Sequence, residues 1–204
     1  MTAIIEPRAA RLTIDYPDRE VDRVSTALRL LYALPIAILL GLIGSTASGE
    51  GLGALACGVL FVPVALTILF RQKYPRWWFD FNLQLTRLAT RVVAYLALMT
   101  DRYPSVDEEQ SVHLDLDYPH VSEDLNRWLP LVKWLLAIPH YIVLAFLGVA
   151  ALGAVIAAWF AVLLTGRYPR GIFDFVEGVL RWALRVEAYA FLLVTDRYPP
   201  FSLA

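Results

Sequence analysis

Charge is scarce in this chain. Asp, Glu, Lys and Arg make up 18% of its 204 residues, and the two signs nearly cancel to a net −1. No global field is left to recruit nucleic acid or an acidic substrate, so no nucleic-acid partner is expected. Cysteine is scarcer still. The single Cys57 excludes an intrachain disulfide and a cysteine-rich metal site, and its apolar neighbours make it a packing position. A Walker A loop, an HExxH pair and a serine nucleophile elbow are all missing. The run Gly51-Leu52-Gly53-Ala54-Leu55-Ala56 has the spacing of a dinucleotide fingerprint, but it follows a turn rather than a strand. No catalytic, cofactor-binding or metal set is therefore expected, and no cofactor. The first 23 residues are charged and hold no long apolar core, unlike a secretory signal.

What the chain has in abundance is apolar surface. A hydrophobic share of 58% and a mean hydropathy of +0.56 read as an integral membrane protein. Apolar runs predict membrane helices over about 24–43 and 52–70, kinked at Pro35 and joined by the turn Gly44 to Gly51. A second unbroken run extends from about Trp128 to Leu164. It divides into helices over about 128–147 and 149–165 if the chain turns near Gly148 to Gly153. The other reading is an interfacial segment up to Pro139 followed by one long span.

The chain also repeats itself. Tyr74-Pro75-Arg76, Phe79-Asp80-Phe81, Arg87, Arg91 and Tyr95 return 94 residues later as Tyr168-Pro169-Arg170, Phe173-Asp174-Phe175, Arg181, Arg185 and Tyr189. Thr100-Asp101-Arg102-Tyr103-Pro104 returns at an offset of 95, from Thr195 to Pro199. Repeats of this length are read before any local signal. They divide the chain into residues 1–106 and 107–204. Each half opens on an alternating phrase, Leu12-Thr13-Ile14-Asp15-Tyr16 or Leu114-Asp115-Leu116-Asp117-Tyr118, which predicts short strands that pair with each other or with residues 200–203. Each half closes on an amphipathic helix, over about 78–100 and 172–195, whose polar row suits the membrane interface. The fold class expected is an all-α integral membrane protein of two tandem repeats, each a helical hairpin plus an interfacial amphipathic helix, with strand-like cytoplasmic lead-ins. All 18 Lys and Arg lie away from the predicted hairpin tips, which places both termini in the cytoplasm.

Within this frame several residues are candidates for function. Arg87, Arg91, Arg181 and Arg185 suit lipid phosphates, to which a guanidinium donates two bonds, or else pair with acids and carbonyls of the chain itself. Trp77, Trp128, Trp134, Trp182 and Trp78 fall near predicted boundaries, where indoles anchor at headgroups. His140 is an ionisable group within a predicted membrane helix. It marks a proton or ligand site, or satisfies a carbonyl freed by Pro139. His113, Asp115, Asp117 and His120 resemble a ligand set but also read as a solvated strand face. Small residues at i, i+4, such as Ala150, Ala154 and Ala158, favour close helix packing within the chain or between copies.

The phrases Leu135-Leu136-Ala137-Ile138-Pro139-His140, Thr165-Gly166-Arg167-Tyr168-Pro169-Arg170 and Thr195 to Phe201 resemble the Domain of Unknown Function 4389 family of bacterial membrane proteins, in two tandem copies. The first copy departs from the pattern with Ile36 for His140 and Trp77-Trp78 for Gly171-Ile172. The resemblance implies membrane location and the duplicated pattern, and it brings no activity or site residues. The expected function is a non-enzymatic scaffold or accessory subunit of the bacterial inner membrane, multi-pass, whose partners are the lipid bilayer and copies of itself or a larger membrane complex. The alternatives are a small oligomeric channel or transporter with its pathway near His140, and a phospholipid-binding or lipid-handling protein.

Overall fold

Alternation of apolar and polar residues makes two strands, β1 (Ala10–Ile14) and β2 (Val112–Leu116), each buried at every second residue. They pair antiparallel with Leu12 opposite Leu114, as one of the predicted pairings has it. The computed structural model describes residues 9–17, 28–29, 31–36, 38, 53–105, 108 and 110–204. The helices are α1 (Gly53–Arg71), α2 (Arg76–Leu96), α3 (Val121–Asp124), α4 (Pro130–Leu136), α5 (Ile138–Thr165) and α6 (Arg170–Ala190). Residues 28–29, 31–36 and 38 are also helical. The rest of the helix predicted over 24–43, and the turn Gly44 to Gly51, lie outside the described residues.

The inward faces of both strands join Val64 and Ile68 of α1, Phe79 of α2, Val162 of α5 and Phe173 and Val176 of α6 in the main core. Backbone bonds from Asp15 to Ser111 and from Asp117 to Ala9 flank the pairing, so the carbonyls of Leu12 and Leu114 point to the outer edges of the sheet. Each edge is closed by an arginine of a helix. Arg181 Nε donates to Leu12 O at 3.1 Å, and Arg87 Nε donates to Leu114 O at 2.8 Å.

The two halves therefore exchange their lead-ins. Tyr16, beside β1, donates to the carbonyl of Tyr168 at 2.5 Å and meets Phe173 edge-on, with Arg170 over its ring. Tyr118, beside β2, does the same with Tyr74, Phe79 and Arg76. Leu12 and Leu114 hold the same place in their phrases and stand opposite each other in the pairing. Helix ends follow the offsets of 94 and 95 as well. Gln72 and Gly166 close α1 and α5 in the left-handed region, and Leu98 and Leu193 do so beyond α2 and α6.

Three expectations are corrected. The all-α, multi-pass architecture of tandem hairpins does not hold: among the described residues there is one helix long and apolar enough to cross a membrane, and a two-stranded sheet lies beside the helices. The run from Trp128 to Leu164 does not turn at Gly148 to Gly153. It breaks before Pro139, which sits in the first turn of α5, where its missing N–H is not needed, and this matches the alternative of a short segment followed by one long helix. The helices expected in the membrane interface plane are core elements. From Phe175 onward no residue of α6 is exposed, because the sheet and residues 202–204 cover its polar row and α5 covers its apolar face.

Candidate functional site

The largest unpaired feature is apolar. At about 1.5 Å per residue, the 28 residues of α5 reach about 42 Å, more than a hydrocarbon core of about 30 Å. Only 11% of its most apolar stretch is buried, and Phe146, Val149, Leu152 and Leu164 are 75%, 72%, 62% and 78% exposed. A helix in the core of a soluble fold would hide these side chains. Phe70 of α1 and Leu131 and Leu135 of α4 extend the exposed apolar surface. Trp77, Trp128 and Trp134 are exposed near the ends of α1, α4 and α5, and Trp78 is half-buried against Trp77. Trp182 departs from the expectation of a boundary anchor. It is buried, because its indole N–H finds a partner inside the fold.

That partner is His140. Trp182 Nε1 donates to His140 Nδ1 at 3.1 Å, and the imidazole stacks on Phe201 at 4.0 Å between ring centres. With Nδ1 accepting, a neutral ring carries its proton on Nε2, and the Pro199 backbone lies beside the ring. His140 is fully buried in this aromatic box, which ties the start of α5 to the closing motif, Thr195 to Pro199, through Tyr198 and the following Phe201. The motif is held a second time by Lys133, also fully buried. Its Nζ donates to Thr195 O at 2.7 Å, lies 2.6 Å from Asp196 Oδ1 and sits over the ring of Tyr189. Burial pushes the Lys133 ammonium below the ordinary lysine range, while Asp196 works against that shift. The first half builds the same group from Arg29, which bonds the carbonyls of Tyr95 and Thr100, pairs with Asp101 and stacks over Tyr95.

The four candidate arginines also lie within the fold. Arg87 and Arg181 close the sheet edges, and Arg91 donates to Ser105 O at 2.5 Å. Arg185 donates to Ser202 O and to Ala204 O. Gly178 admits this last segment, since a Cβ there would stand 2.9 Å from Leu203 O. Beside Arg87 and Arg91 an open recess of about 450 Å³ remains, walled also by Arg11, Gln110, His113 and Asp115. Arg11 pairs with Asp115 and Asp117, and His113 Nε2 lies 3.2 Å from Asp15 Oδ2, so the strand face that resembled a ligand set is a ladder of cross-strand polar pairs. Among the described residues no three His, Cys, Asp or Glu side chains converge as metal ligands. The twin cation groups and the closed edges escaped the sequence reading, although Asp101 and Asp196 share the offset of 95, and Arg29 and Lys133 each stand six residues before a proline, Pro35 and Pro139.

Comparison with curated proteins and with solved structures returns no match. Residues 128–202, from the segment before α4 to the stretch that lies on Arg185, match the family model described as Domain of unknown function (DUF4389), and this part of the chain is similar to that family.

Proposed function

We propose that this chain is a non-enzymatic protein of the bacterial inner membrane, seated in the bilayer through α5, that serves as a scaffold or accessory subunit for copies of itself or a membrane complex. The observation that carries this reading is the exposed apolar length of α5, far more than a soluble monomer leaves in water. Lipid acyl chains are the cover that this surface fits, and the exposed tryptophans near its ends suit the headgroup level. The non-enzymatic part is supported by the commitment of the buried polar groups to the fold: His140 to Trp182, Lys133 to Asp196, Arg29 to Asp101. We also infer that residues 1–106 are a second copy of the unit whose matching part lies at 128–202. The support is the offset of 94 or 95 shared by the sheet-closing arginines and the helix ends, together with the like construction of the Arg29 and Lys133 groups.

The membrane half of this proposal is tested by flotation on liposomes. Val149→Arg with Leu152→Arg places two charges on the exposed face of α5 without touching the core. The variant is expected to lose flotation while keeping its helical content in detergent, and flotation equal to wild type contradicts the proposal. The scaffold half is tested by cross-linking in native membranes and by size in lipid nanodiscs. A strictly monomeric protein with no cross-linked partner contradicts it.

A further inference from the structure

The polar rows of α2 and α6 are alike in sequence but not in what completes them. In the second half Arg181 has its own acid, Glu177, at 2.7 Å, and residues 202–204 lay their carbonyls on Arg185. In the first half the position of Glu177 is taken by Leu83, Arg91 donates to the one carbonyl of Ser105, and beside the arginines stands the open recess. Three guanidiniums, of Arg11, Arg87 and Arg91, face one carboxylate on its walls, Asp115, which lies 3.3 Å from Arg11 and 3.5 Å from Arg87. Beyond the wall Asp117 holds Arg11 and Asp15 holds His113. Arg91 has no carboxylate within ion-pair distance among the described residues, and its buried Nε has no hydrogen-bond partner.

We propose that this recess is an anion site that takes a phosphate group, which would stand for the first half where Glu177 and the carbonyls of residues 202–204 stand for the second. Planar guanidiniums on two elements suit a group with several acceptor oxygens. The electrostatics agree: burial and then the charge of Arg87 push the Arg91 guanidinium below its ordinary range, a repulsion that a bound anion would relieve. Asp115 is the internal competitor for the same arginines. A phosphate monoester headgroup and free phosphate share this chemistry. The site itself does not depend on α5 being seated in lipid.

The test is a titration of the full-length protein in neutral detergent micelles with inorganic phosphate. Saturable binding at one site is expected, weakened about tenfold in Arg91→Gln, as for a lost charge-assisted contact. Asp115→Asn is expected to tighten it, an outcome that mere loosening of the fold would not produce. Arg167→Gln, an exposed arginine away from the recess, is expected to leave it unchanged. No saturable binding, or an equal loss in Arg167→Gln, overturns the site. So does binding that appears only when Asp107, Glu108 and Glu109 are neutralised together. Vesicles of phosphatidylcholine with and without phosphatidic acid then separate the sources. Retention that rises with phosphatidic acid and falls in Arg91→Gln supports the lipid headgroup, and phosphate binding without that preference supports the free ion. Flotation on neutral liposomes reads α5 separately, so either idea can fail alone.

Discussion

Asp196→Asn isolates the buried cation that holds the closing motif. Lys133 has no exposed side-chain surface, and Asp196 Oδ1, 2.6 Å away, is its only carboxylate among the described residues. The second oxygen, Oδ2, accepts the backbone N–H of Asn126, a bond that an asparagine oxygen preserves. The substitution therefore leaves an ammonium with one carbonyl and one aromatic ring for company. Stranding a buried charge in this way costs about 3–5 kcal/mol. Lys133→Met with Asp196→Asn removes the charge and its desolvation together and should return to within about 1 kcal/mol of wild type. The loss also depends on pH. Because burial lowers the folded-state pKa of Lys133, the folded chain binds fewer protons than the unfolded one between that lowered value and 10.5. Stability from this group therefore rises with pH across that window. Without Asp196 the pKa falls further, so the deficit of Asp196→Asn should shrink as the solution becomes alkaline. Asp101→Asn should likewise destabilise, since it removes the carboxylate that pairs with the buried Arg29. Thermal unfolding followed by circular dichroism in lipid nanodiscs reads the three variants against wild type. A loss below about 1 kcal/mol in Asp196→Asn at neutral pH, or no rescue in the double variant, would refute the reasoning.

The remaining predictions concern helix ends and titrating groups. Gly166→Ala should destabilise by about 1 kcal/mol, because its left-handed backbone resists a Cβ, whereas Gln72→Gly at the matching position should stabilise by about 0.5 kcal/mol; both are read as shifts in melting temperature. Glu187 is pushed up by desolvation, so its stabilising contribution is complete below 4.5 and lost as pH rises through the folded pKa. Glu187→Gln should therefore raise the melting temperature by roughly a few degrees at neutral pH and flatten its pH dependence above 4.5. Burial pushes the Tyr168 hydroxyl up to about 12, so the stability it contributes is present below pH 10 and lost as pH rises through about 12. Tyr168→Phe should remove that alkaline loss and cost little at neutral pH; alkaline melts compare the two proteins.

Periodicity located α2 and α6 to within a few residues and identified their polar rows, but it did not say what covers a row. An arginine every fourth residue serves a lipid phosphate and a strand edge equally well in sequence. Only the antiparallel pairing of Leu12 with Leu114, which turns their carbonyls outward, decided for Arg181 and Arg87. The alternating phrases were legible as strands, displaced by two residues, because a period of two belongs to no helix. Proline misled in one place. Pro139 read as a boundary in only one of two readings, and the glycines at 148 and 153 outweighed it. A helix interior tolerates glycine at about 1 kcal/mol each, whereas the chain gains a natural start where proline occupies the first turn. Composition announced the exposed apolar surface but not its confinement, for long helices, to α5 among the described residues.

Spin labels in lipid nanodiscs, in a Cys57→Ser background, test the membrane seat most directly. Labels at Val149 and Leu152 should be reached by dissolved oxygen and shielded from a water-soluble nickel chelate, while a label at Thr13 on the outer strand face should be reached by the chelate. Labels on α5 as open to the chelate as Thr13 would contradict the account.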